Sequence, residues 1–162
     1  MNINELYHIQ KELDRKILKE HQLEGRDLIS EKILALQVEL GELANETRCF
    51  KYWSKKGPSE KSIILEEYVD CLHFILSIGL EKQYTSDINE VKSDEEVIAT
   101  HQFLKVYSHL SNFQQNNSKE NYLALWQSFI VLGKALGFRW DEITTAYLKK
   151  NEINHQRQKE GY

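Results

Sequence analysis

Apolar residues recur every three or four positions through most of the chain, and the polar stretches between them are short. That period lays one apolar stripe along an α-helix, whereas half-buried strands alternate every second residue. Six helices are predicted. The first covers roughly residues 3–20 and the second 28–52; the third begins near Ser59, after Gly57 and Pro58 interrupt the pattern in "SKKGPSEK", and runs to about 83. Helices two and three therefore form an antiparallel hairpin. The fourth starts near "SDEEV", where Ser93 and Glu96 have capping-box spacing, and fades in "QQNNS". Tyr122, Leu125, Trp126, Phe129, Ile130, Gly133 and Leu136 mark the fifth, over about 119–136, with Gly137 as its terminator. The sixth covers about 140–159, and the one long connector is 84–92, "YTSDINEVK".

With a single proline and seven glycines in 162 residues, little competes with helix, and the fold class is all-α: a bundle of about six helices in one domain, 1–162. A 41% apolar and 28% charged composition is that of an ordinary soluble protein. The formal net charge of −4 argues against a general nucleic-acid binder. Cys49 and Cys71 lack close-spaced partners, which fits a reducing cytoplasm and suggests neither a zinc knuckle nor a disulfide framework. No apolar run approaches the roughly 20 residues a membrane helix needs, and no export signal is expected.

One feature of the helical pattern is costly. On helix two, Ile33, Leu36, Leu40 and Leu43 make the apolar seam, with Glu39 and Glu42 bordering it three residues apart. On helix three the row Ile63, Glu67, Asp70, Phe74 has the spacing of a packing seam with acids at its middle positions. The hairpin would bring all four acids together, partly buried, where they must protonate, pair with cations or bind metal. Ligation by carboxylate oxygen alone suits Mg²⁺, Mn²⁺ or Ca²⁺ better than zinc. The plain alternative pairs these acids with Arg48, Lys51, Lys55 or Lys56 on the surface, and Glu46, one turn further on, is expected to form a salt bridge. On helix six, Lys150, Asn154 and Arg157 share one face at i, i+4, i+7, offering two cations and an amide to phosphate, with Asn151 beside them for sugar or phosphate oxygens.

"ELGELANETRCFKYW" followed by "EEYVDCLHFILSIGLE" resembles the dimeric, all-α dUTPases, relatives of the MazG-type nucleoside triphosphate pyrophosphatases, whose signature is ExxE on one helix and ExxD on the next. Glu39, Glu42, Glu67 and Asp70 match it, and "KNEINHQRQKEGY" looks like the family's carboxy-terminal segment. The resemblance implies a MazG-like architecture with a four-helix catalytic core, a homodimer, and hydrolysis of dUTP to dUMP and pyrophosphate with Mg²⁺, two or more ions per site. It implies that Glu39 orients or deprotonates the water and that Glu42 bridges the metals. Gln10 and Asp14 align with a family pair Q-x-x-x-N lining the nucleoside pocket, Asp14 standing where the family has Asn, and Trp53 aligns with an aromatic near the base or sugar.

Other readings predict other properties. A dCTP-directed or broader pyrophosphatase would use the same four acids. A ferritin-like di-iron protein would need two Glu-x-x-His motifs, and only Asp70 and His73 come near. A non-enzymatic helical adaptor would use the acidic stripe as a docking surface. His73 and Cys71, inside "CLHFIL", read as core residues, as do Tyr122, Trp126 and Phe129.

Overall fold

A computed structural model of the chain describes residues 1–89 and 95–162. They form six helices, and no strand occurs among the described residues: α1 Ile3–Glu20, α2 Ile29–Thr47, α3 Lys61–Lys82, α4 Ala99–Gln115, α5 Lys119–Ala135 and α6 Trp140–Lys159. α3 is the axis of the bundle. It packs against α1, α2, α5 and α6, and nearly every residue from Tyr68 to Gly79 is buried, so it has no polar face in its middle third. α4 and α5 form a second hairpin that leans on α2 and α3.

Local chemistry sets the helix ends. Asn2 caps α1 by accepting from the Glu5 amide at 3.0 Å while Glu5 accepts from the Asn2 amide at 2.8 Å, satisfying two otherwise orphaned donors. α2 has no side-chain cap of its own at Leu28; instead Glu81, near the end of α3, accepts the Leu28 amide at 2.8 Å. α5 stops at Gly137, whose φ of +83° costs a glycine nothing, and the Phe138 amide folds back to the Gly133 carbonyl at 3.0 Å.

Two expected boundaries shift. α2 ends at Thr47, short of the predicted 52, because Arg48 turns left-handed at φ +56° and its guanidinium bonds Ser54 Oγ and the Lys56 carbonyl within the loop. α4 begins at Ala99, since Glu95–Ile98 are not helical; the Ser93 end of the expected capping box lies outside the described residues. The row on α3 is also less inward than its spacing suggests: Ile63 is 42% exposed, and the acids border a cleft rather than the core.

Tyrosine hydroxyls join the layers. Tyr7 donates to Tyr122 at 2.7 Å, and Tyr122 donates to the Ile75 carbonyl at 2.9 Å, tying α1, α5 and α3. Tyr68 donates to the Phe129 carbonyl at 2.9 Å, its ring stacked on Phe129 at 4.3 Å. That approach requires Gly133: a Cβ there would lie 2.5 Å from the Tyr68 oxygen and 2.7 Å from its ring carbon. Gly133→Ala should therefore destabilise the protein by about 1–3 kcal/mol despite the better helix propensity of alanine. Urea unfolding monitored by circular dichroism measures this, and an unchanged midpoint would contradict it.

Candidate active site

α2 and α3 run antiparallel with more contact than any other pair, and this brings their acids together. Glu39, Glu67 and Asp70 each place a carboxylate oxygen so that the three lie within 4.8 Å of one another, all half-buried. Glu42 is exposed beside them and shares a shallow groove with Glu67. Burial raises the pKa of Glu39, and Asp70, Glu42 and Glu67 add to it, to about 7. Burial also raises Glu67, reinforced by Asp70 and Glu42. Asp70 is raised by burial against the opposing pull of Lys150. One oxygen of Glu39, Oε2, is buried without a hydrogen-bond partner. A buried carboxylate oxygen without a hydrogen-bond partner, on a residue that joins two more acids, makes an oxygen-only donor set that fits a hard divalent ion.

The cation nearest the acids comes from α6. Lys150 Nζ lies 2.9 Å from Asp70 and 3.0 Å from Glu66. Burial disfavours its charge, but Asp70 and Glu66 outweigh that and hold its pKa up. Glu66 is 56% exposed, so its share is of the order of 0–1 kcal/mol. The surface cations of the 48–56 loop do not pair with the acids: Arg48 is engaged within the loop. Among the described residues Glu46 makes no ion pair either; it accepts from the Ser59 hydroxyl.

A cleft of about 380 Å³ opens from this cluster. Glu39 and Asp70 border it, together with Gln10 and Asp14 from α1 and Lys150, Asn154 and Arg157 from α6. Asn151, on the same helix as Lys150 but not lining the cleft, is buried with its Nδ2 without a hydrogen-bond partner, and the Arg157 guanidinium sits 5.1 Å over the Tyr162 ring, which also lines the cleft. Trp53 is not brought there. It is 65% exposed, edge-on to Tyr52 and Phe50 in the loop after α2, and so fills neither core nor cleft.

A directed hydrogen-bond chain crosses the cleft floor. Ser77 Oγ donates to Asp14 Oδ2 at 2.8 Å and Gln10 Nε2 donates to Asp14 Oδ1 at 2.9 Å. Gln10 Oε1 accepts from Tyr147 at 2.8 Å and lies 2.6 Å from His73 Nδ1. Because that amide oxygen only accepts, His73 must carry its proton on Nδ1, leaving Nε2 as a buried acceptor with no partner. Burial, with Lys150 adding, pushes the His73 pKa down to about 3, so the ring is neutral. Burial raises Asp14 despite its two donors.

A family profile described as dUTPase matches residues 2–162. The chain belongs to the dUTPase family. It is accordingly an enzyme, a dUTP diphosphatase, and the expected all-α dUTPase fold is the fold observed. No curated protein matches the chain. Among the described residues no helix is long and apolar enough to cross a membrane. His73, Ser77 and Lys32 line the cleft and are polar residues that sequence reasoning misses; Tyr147, fully buried, supports it from behind by donating to Gln10. His73 and Ser77 follow Asp70 by three and seven positions, one helix face, and that spacing was the available signal.

Glu39 gives a testable pH dependence. Its raised folded pKa means that its contribution to stability is full below about 4.5 and is lost as pH rises through about 7. His73 has the opposite linkage, its contribution being lost as pH falls below 6.5, so the wild-type profile alone mixes the two. The comparison with Glu39→Gln cancels His73. Without metal, the variant should gain on wild type between pH 5 and pH 8 by about 1 kcal/mol after solvent screening, or ~2–4 °C in Tm. Parallel melting curves across that range would count against the crowded-carboxylate account.

Proposed function

We propose that residues 1–162 act as one pyrophosphohydrolase domain that cleaves dUTP between the α- and β-phosphates in a reaction dependent on Mg²⁺, releasing dUMP and pyrophosphate. The observation that carries this reading is the convergence of Glu39, whose Oε2 is buried without a hydrogen-bond partner, with Glu67 and Asp70 beside a nucleotide-sized cleft. Glu39, Glu42, Glu67 and Asp70 are the residues that would hold the metal; bound there, divalent cations supply charge neutralisation of the triphosphate and promote ionisation of the attacking water.

The chain's own groups do the rest. Glu39 orients the water and takes its proton as the new bond to the α-phosphorus forms in line with the departing pyrophosphate oxygen. Lys150 and Arg157 pair with phosphate oxygens, Arg157 through its two-pronged guanidinium. Asn151 and Asn154 donate to sugar or phosphate oxygens, and the free acceptor on His73 suits a sugar hydroxyl. Gln10 and Asp14 border the nucleoside. Trp53, exposed in its loop, would reach the base or sugar only from outside this cleft.

The working form in this reading is a cytoplasmic homodimer. Leu34 and Val38 on α2, with Ile98 and Leu104 at α4, are each more than half exposed and would be covered by a second copy. The free cysteines, Cys49 and Cys71, are compatible with a reducing compartment.

Pyrophosphate release from dUTP, measured against the other deoxynucleotides with and without Mg²⁺, tests the reading directly; activity that survives chelation, or a marked preference for another base, would overturn it. Glu42→Gln should lower kcat by roughly 100-fold or more, ~2.7 kcal/mol of barrier, while the protein stays folded. Millimolar Mg²⁺ should also raise the Tm of the wild type, since a ligand held only by the native state stabilises it by mass action. A Tm indifferent to metal is the contrary result.

A further inference from the structure

The part of the cleft farthest from the acids carries a charged residue that the proposed reaction does not use. Lys32 precedes Glu39 by seven residues on α2, and Ser77 follows Asp70 by seven on α3; both line the same cleft. At 1.5 Å per residue the cleft therefore extends about 10 Å from the acids to Lys32, roughly the span of a nucleoside. Leu28, Ile17 and Phe74 give that region apolar walls suited to a flat ring.

The hydrogen-bonding capacity left there is limited. Asp14 is held as an acceptor, because Gln10 and Ser77 both donate to it. Ser77 has spent its proton on Asp14. Lys32 Nζ sits 2.5 Å from Glu81 Oε2, and Glu81 is itself anchored because its other oxygen accepts the Leu28 amide at 2.8 Å. The contact is an ion pair that makes no hydrogen bond, Glu81 Oε2 being a buried oxygen without a hydrogen-bond partner, so Lys32 keeps its ammonium protons to donate and is the cationic donor of this region, with Asp14 as its acceptor counterpart. The two are close enough for the Lys32 charge to act on Asp14.

We propose that Lys32 is a specificity-determining residue that reads the base, donating to the C4 carbonyl oxygen of uracil while Asp14 accepts from the neighbouring N3–H. This rests on the dUTP reading above. A donor beside an acceptor matches the imide edge of uracil. Cytosine presents an amine at C4 and a bare lone pair at N3, so donor would meet donor and acceptor would meet acceptor. A site built around a substrate's hydrogen-bonding groups rejects an analogue that leaves them unpaired far better than an apolar pocket rejects a size change.

The alternative is that Lys32 and Glu81 merely brace the start of α2 against the end of α3, and two variants separate the roles. Lys32→Met removes the donor; Glu81→Gln breaks the ion pair but keeps an oxygen for the Leu28 amide. Steady-state kinetics on dUTP and dCTP with Mg²⁺ should show Lys32→Met raising KM for dUTP by roughly tenfold or more with kcat within about threefold, and the preference for dUTP over dCTP falling by at least about tenfold. Glu81→Gln should keep that preference within about threefold. Lys32→Gln, which retains a neutral donor, should fall between the two and serves if Lys32→Met does not fold. Equal losses on dUTP and dCTP in the Lys32 variants, or equal loss of preference in Glu81→Gln, would overturn the assignment while leaving dUTP hydrolysis by the wild type standing. A wild type that hydrolyses no dUTP would sink the underlying reading and the assignment together.

Discussion

Everything at the cleft depends on the close packing of α2 on α3, which forces carboxylates together that would separate if they were free to do so. α3 has little choice of orientation: buried on nearly all sides between Tyr68 and Gly79, it can present Glu67 and Asp70 only where its polar positions interrupt that surface. α2 is similarly fixed by Leu36, Leu40 and Leu43, each fully buried, so Glu39 cannot rotate away without withdrawing them from the core. The packing of the bundle thus stabilises an arrangement that its electrostatics opposes. The raised pKa of Glu39 and its unpartnered oxygen express that opposition.

The same rigidity extends along α3 into the floor of the cleft. His73 stacks on Tyr147 at 4.3 Å and bonds Gln10, which bonds Asp14, which Ser77 holds from the other side. Each group in the series has its donor or acceptor role set by its neighbour, so the chain leaves a defined remainder: a free acceptor on His73 and an acceptor carboxylate at Asp14. Pre-set polarity of this kind spares a bound nucleotide the cost of reorganising the site.

The helices are legible in the sequence because their apolar period is regular and because Gly57, Pro58 and Gly137 punctuate it. The pairing of ExxE with ExxD is legible because both motifs sit beside the apolar seams of two consecutive helices, which pack antiparallel. What the sequence conceals is tertiary in origin. Arg48 ends α2 through bonds to Ser54 and Lys56 that no local propensity announces. His73 reads as a core residue and is one, yet its second nitrogen is left over only because Gln10, sixty-three positions away, captures the first. Trp53 is placed by the same loop: once α2 stops at Thr47 the following segment carries it outward, where it is exposed.

Lys150 shows how the crowded site is tolerated before a substrate arrives. Its ammonium lies against Asp70 and offsets one of the clustered charges, which a side chain from another helix can do without any ion present. The bond is also easy to redirect. Lysine is a point charge on a flexible stem, the contact to exposed Glu66 contributes little, and Arg157 lies seven residues further along the same helix, bordering the same cleft. In the proposed reading, a bound triphosphate would give the Lys150 ammonium phosphate oxygens to pair with in place of the Asp70 carboxylate. On that reading the cation that makes the free arrangement tolerable is also the one that would hold the substrate, and the repulsion built into α2 and α3 would favour binding.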